Sequence, residues 1–214
     1  MRIADIAFYI PLVPALLSLV KWKSLNASQR WFSILLWLII IISFSGFLWT
    51  QETKQNNMPF FHVYILVEYL FLLQVFRLFF KGSIKDRIWL ILAVGYMLVW
   101  LVNVFIIEGW WAFPDYIHVL EIVILFVIIT IWFRKMLKEK VIRNPERTFE
   151  FWICAGLVIF FSGNLLIFIF PKFILNAEKG VFHAIWRLNS ILIILLYTIY
   201  TIALLWVKKA KTLS

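Results

Sequence analysis

The sequence predicts an all-α polytopic membrane protein with seven transmembrane helices, its N-terminus outside and its C-terminus inside. Three observations carry that prediction. Hydrophobic residues make up 64% of the 214 positions, far above the roughly 45–50% of a soluble domain, and mean hydropathy is +0.95. The apolar residues fall in runs of about 18–25, long enough at about 1.5 Å per residue to cross a hydrocarbon core of about 30 Å. Finally, 16 of the 21 Lys and Arg residues lie in alternate gaps between those runs. Basic loops stay on the cytoplasmic side, so the alternation gives both the number of crossings and their direction.

The spans follow in order as 3–20, 31–50, 59–80, 88–108, 114–133, 149–170 and 182–207. The first contains Pro11 and Pro14, lacks a small-x-small cleavage site and is followed by Lys21 and Lys23. It therefore reads as a retained helix rather than a cleaved signal peptide. Lys21 to Arg30 is the first basic segment, and the second span then carries Ser43, Ser45 and Gly46, small enough to let a neighbour approach. The third opens at Pro59 and ends near Arg77, whose long stem can snorkel to the headgroups. Arg77 to Arg87 is basic again, followed by the fourth span with Asn103. Pro114 opens the fifth, and the basic stretch 134–148 is the longest connection. Gly156 and Gly163 lie seven apart on one face of the sixth, a spacing suited to close helix packing. Lys208 to Lys211 follows the seventh. Ten of the 12 Trp residues sit near these span ends, as interfacial belts require. The whole of 1–214 reads as one transmembrane domain.

The net charge of +10 belongs to the loops and marks contact with anionic lipid headgroups. No basic face exists apart from those loops, so nucleic acid is not an expected partner. Cys154 is the only cysteine, which rules out a disulfide within the chain and a cysteine-based zinc site. The bias toward Ile, Phe, Lys and Asn points to a bacterial protein, hence to the inner membrane.

The polar residues within the spans carry the functional information. His62, Glu68, Asn103, His118, Glu121, Asn164, His183, Arg187 and Asn189 all map to the outer half of their helices, while the inner half offers little beyond Gln74 and Arg77. A charge near a helix centre costs about 2.5–3.5 kcal/mol on insertion scales. Glu68, Glu121 and Arg187 are therefore expected to meet and offset one another in an outward-facing polar pocket. His118 shares a helix face with Glu121, and His183 shares one with Arg187. The candidate ligand-binding set is Glu68, His118, Glu121, His183, Arg187, His62, Asn103 and Asn164. A network that only fixes helix registry is the structural alternative.

A weak internal repeat relates Pro59, His62 and Glu68 to Pro114, His118 and Glu121, with Asn103 and Asn164 at similar depth on the helices that follow. It reads either as a parallel duplication of helical hairpins or as the reuse of Pro and polar residues at helix starts. The three His residues come from three helices with no His-x-x-x-His or His-Glu-x-x-His pair, so no metal is expected. No nucleophile elbow, Walker loop or dinucleotide fingerprint is present, and no cofactor is expected. The last span holds no Lys for a retinal Schiff base, and His183 is followed by Arg187 where a ceramidase-type hydrolase has a second His.

Four segments together resemble a family of small uncharacterised bacterial seven-helix integral membrane proteins. They are Ile10 to Lys23, Phe61 to Glu68, Phe160 to Leu165 and Leu196 to Ile202. Some members of that family are encoded beside sensor histidine kinases, so the resemblance implies a role in signalling. It carries over no catalytic residue, and it agrees with interest in His62, Glu68 and Asn164.

The expected function is a membrane sensory or regulatory component. It would hold a small or lipidic ligand in the outer pocket and act through a signalling partner at the 134–148 loop or the basic tail. A proton- or ion-coupled transporter or channel is the first alternative, suited by outer-half acids but not by the apolar inner half. An intramembrane enzyme acting on lipid, with Glu68 or Glu121 as general base, is the second.

Overall fold

The computed structural model describes residues 3–80, 82–139, 144–169 and 178–207. Arg2, Lys81, Lys140, Arg143, Lys172 and the basic tail from Lys208 to Lys211 lie outside them. The described residues form helices and short turns, with no strand. The helices are α1 Ile3–Tyr9, α2 Leu12–Val20, α3 Ala27–Thr53, α4 Met58–Phe80, α5 Asp86–Val102, α6 Asp115–Glu139, α7 Phe149–Ile169 and α8 Lys179–Leu205. With α1 and α2 taken as one broken span, these are seven segments at the positions the apolar runs predict. Six of them are long and apolar enough to cross a membrane, and α7 is an apolar helix as well. Large apolar side chains such as Leu90, Ile91 and Leu98 of α5 are exposed, as a lipid-solvated surface requires.

The breaks have local causes. Pro11 and Pro14 have no N–H to donate, and the Ile10 carbonyl accepts instead from Val13 N–H at 3.0 Å. The first span therefore bends between α1 and α2. Asn26 caps α3 reciprocally: its side chain accepts from Gln29 N–H at 3.0 Å, and its own N–H donates to the Gln29 side chain at 2.9 Å. Beyond α5 the chain widens into one π-turn, Asn103–Ile107, in which Glu108 N–H reaches back to the Asn103 carbonyl at 2.8 Å. Gly109 then turns with φ +90°, a conformation that favours glycine.

The helices close into a ring. α2 packs on α3, α3 on α4, α4 on α6, α6 on α7, α7 on α8, and α8 on both α1 and α2. α5 packs on α4 outside this ring and is tied to α6 by the Tyr96 hydroxyl, which donates to the Ile117 carbonyl at 3.2 Å. Trp89 and Trp132, at span ends in sequence, are buried against Phe80 and Phe79 and serve helix packing rather than an exposed belt.

The end bearing the basic segments collects the C-termini of α2, α4, α6 and α8, where helix dipoles favour cations. Two lysines meet those termini directly. Lys21 Nζ donates to the Leu204 and Leu205 carbonyls at 2.9 and 3.1 Å, joining the first loop to the end of α8. Lys135 Nζ donates to the Phe80 carbonyl at 3.1 Å and to the Ser83 hydroxyl. Replacing Lys21→Met is expected to destabilise the bundle by about 0.3–1 kcal/mol. Titration with a denaturing detergent should show the midpoint falling, with Lys21→Arg close to wild type. Equal midpoints for the Met variant and wild type would remove the cap from the account.

The same end is packed dry. Phe32 meets Tyr200 and Phe149 edge-on, at ring separations of 4.8 and 5.4 Å, and Phe79 meets Phe149 at 6.2 Å. With Leu36, Leu72, Phe76, Ala203 and Leu204, all fully or nearly fully buried, these rings fill the ring of helices from Glu68 to the basic end. One polar contact crosses this zone, between the hydroxyls of Ser18 and Ser33, 2.6 Å apart.

Candidate functional site

The opposite half of the ring is open. A cavity of about 930 Å³ lies among α1, α3, α4 and α8, at the upper end of the range for small-ligand pockets. Thr50, Gln51, Asn57 and Met58 line it near the α3–α4 turn, and Phe8, Phe44, Phe47, Phe60 and Phe61 supply much of its wall. Its deeper end carries the polar groups of Glu68, Tyr64, His118, Asn189, Ser190 and Tyr197. Glu68 is ten positions past Met58, hence about 15 Å deeper along α4.

Helical spacing explains the grouping on α4. Tyr64 and Glu68 are four apart and stack on one face. Tyr64 lines the cavity together with Glu68 and with Tyr197 of α8. Glu68 is 3% exposed, and its Oε2 has no hydrogen-bond partner among the described residues. A buried carboxyl oxygen left unpaired is costly, and this one belongs to a side chain on the cavity wall.

Behind Glu68 stand His118 and Glu121 of α6. His118 Nδ1 lies 3.1 Å from Glu121 Oε2, and both side chains are almost wholly buried. His118 lines the cavity, whereas Glu121 does not. Glu68 lies close enough to both to feel their charge. The three form one cluster contributed by two neighbouring helices of the ring.

The other sequence candidates go elsewhere. His62 is fully buried on another face of α4, with Nε2 3.1 Å from the Ala112 carbonyl and its ring stacked on Trp110 at 5.7 Å. Such a contact requires the Nε2–H tautomer. The His62 carbonyl accepts from the Trp100 indole at 3.0 Å, so His62 fastens the turn after α5. Asn103 donates to the Glu108 carboxylate, whose other oxygen accepts from Tyr116 N–H at 2.7 Å and so caps α6. Asn164 is buried and donates to the Phe160 carbonyl one turn back, at 3.1 Å, and among the described residues its side-chain oxygen has no partner. His183 and Arg187 occupy exposed positions on α8. Among the described residues, no ion pair joins Arg187 to Glu68 or Glu121. The compensation expected from Arg187 is not made there, and His118 is the basic side chain the acids do have beside them.

The matched sequence elements are put to different uses. His62 pins a turn while His118 faces the cavity, and Asn103 bridges to Glu108 while Asn164 bonds within its own helix. Tyr64 and Tyr197 were absent from the sequence candidates. Tyr64 had a legible signal in its position four residues before Glu68, whereas Tyr197 had none. Among the described residues, no three His, Cys, Asp or Glu side chains are grouped to hold a metal ion. Set against known proteins, the chain matches no family model, no curated protein and no solved structure.

Proposed function

We propose that this protein is a sensory or regulatory component of a bacterial inner membrane. Its cavity faces outward and holds a small or lipidic ligand, and its occupancy is passed to a membrane or cytoplasmic partner. One observation carries the reading: the cavity ends on Glu68, and dry aromatic packing fills the helix ring from there to the basic end. A pocket closed at one end suits recognition better than passage, because a conduit needs polar or water-filled lining along its whole length. The alternation of basic segments supports a cytoplasmic closed end. There Asn144, Glu146 and Arg147, exposed ahead of α7, offer a surface to a partner, and the α6, α7 and α8 contacts link α7 to the cavity wall. The resemblance to proteins encoded beside sensor kinases agrees with that assignment.

Proteoliposomes containing the protein are expected to show no proton or ion flux above protein-free liposomes, with or without an imposed gradient. Pull-down from native membranes should retain a partner, and its yield should change when Phe160→Trp fills the cavity. Sustained flux abolished by Glu68→Gln would replace this reading with a coupled transporter.

A further inference from the structure

The proposal concerns which ligand the cavity takes, and it rests on the reading of that cavity as a binding site. Two features of the wall constrain the ligand's shape. Tyr9, Phe44 and Phe47 line the cavity yet are 58%, 49% and 42% exposed on the bundle surface. They lie within the first two spans, so the cavity is continuous with the lipid-facing side and not only with the α3–α4 turn. The bend at Pro11 creates this opening. α1 leans on α8, while α2 packs on both α8 and α3. Across the gap, α1 and α3 meet through the Phe8 and Phe47 rings, 5.4 Å apart. A lipid-side opening flanked by aromatic rings admits a chain already dissolved in the bilayer.

The deep end constrains the ligand's head. Glu68 and Glu121 are two carboxyls in one buried cluster, and His118 supplies one positive charge at most. Among the described residues, no Lys or Arg lines the cavity. Arg187, the cation the sequence offered, makes no ion pair with either acid. The unpaired Glu68 Oε2 is an acceptor buried on the cavity wall. A buried carboxylate is stabilised by a cation that also donates hydrogen bonds. Tyr64, Tyr197 and Ser190 add hydroxyls that can accept from the same group. The aromatic wall suits an ammonium as well, since ring faces attract cations.

We infer that the cavity binds a single-chain amphiphile bearing an amine head, which enters from the bilayer between α1 and α3 and places its nitrogen against Glu68. A fatty acid would set a third carboxylate beside two acids. A neutral alcohol would satisfy the acceptor but form no ion pair with it.

The test uses full-length protein in nanodiscs of a zwitterionic phospholipid. The probe is dodecylamine carrying a mid-chain diazirine, with the matched alcohol and carboxylic acid as comparators. Saturable labelling of the α1, α3 and α8 walls by the amine is expected, weaker for the alcohol by about ten- to a hundredfold. The acid should not label these walls. Glu68→Gln keeps the side-chain volume and should remove the amine's advantage over the alcohol. Linking cysteines introduced by Phe8→Cys and Phe47→Cys with a bis-methanethiosulfonate should block labelling, and reduction should restore it. Saturable labelling by the acid as strong as by the amine, or an amine preference that survives Glu68→Gln, would overturn the head-group assignment and leave the binding site standing. Undiminished labelling after cross-linking would overturn access between α1 and α3. No saturable labelling by any of the three probes would overturn the proposal together with the binding-site reading on which it rests.

Discussion

Gly163→Ala is expected to destabilise the bundle, although alanine in a helix interior ordinarily gains about 1 kcal/mol over glycine. The sign reverses because a Cβ at position 163 would lie 2.6 Å from Leu192 Cδ1 and 2.9 Å from Cδ2 on α8. Seven residues earlier, a Cβ at Gly156 would meet Ile199 Cγ2 at 3.0 Å and Leu196 at 3.3 Å. These two glycines hold α7 against α8 over two turns, and that contact is among the most extensive in the ring. Leu192 can move its flexible end, so alanine at 163 alone should cost modestly. Leucine at either position must part the helices, at about 1–3 kcal/mol each. Phe160, Leu196 and Tyr197 line the cavity from this same pair, so its shape should change with stability. Gly163→Leu should therefore lower both the denaturing-detergent midpoint and cavity labelling. Leu192→Ala added to Gly163→Ala should recover most of the loss. A Gly163→Ala protein more stable than wild type would show that α7 and α8 stand farther apart than this.

The α7–α8 packing was legible because small residues seven apart are a spacing signal, independent of what surrounds them. The spans were legible for a similar reason: apolar length and the placement of Lys and Arg need no knowledge of facing. The cavity depends on facing, and there the sequence is poor. In a span such as 149–169, nearly every position is apolar, so no polar stripe marks which side turns inward. Glu68, Glu121 and Arg187 all lie at suitable depth, yet depth could not show that Arg187 takes an exposed face of α8 while His118 stands beside the acids. His62 and Asn103 were recognisable as buried polar groups. Their partners, the Ala112 carbonyl and Glu108, belong to a turn whose path no local pattern predicts. Pro11 and Pro14 announced a bend, but the gap it leaves between α1 and α3 follows only from where α8 sits.

The His118–Glu121 pair should separate a structural role from a recognition role. Both side chains are almost fully buried, with Nδ1 and Oε2 3.1 Å apart. Removing one member leaves the other a buried polar group with less compensation, a change that costs about 1–3 kcal/mol. Glu121→Leu or His118→Leu alone should thus lower stability substantially, by more than any loop substitution. Replacing both at once removes the polar demand along with the polar supply. Leucine fits a site already walled by Phe61 and Phe161, whose rings lie 5.8 and 6.4 Å from the His118 ring. The double variant should recover most of the lost stability, so its coupling energy in a double-mutant cycle should be large. If the pair only fixed helix registry, ligand labelling would return with stability. The cavity reading predicts that labelling stays low in the stable double variant. His118 is a cavity-lining group, and Glu68 would keep its carboxyl without the imidazole beside it. A double variant that is stable and labels like wild type would assign the pair to architecture and leave recognition to Glu68, Tyr64 and Tyr197.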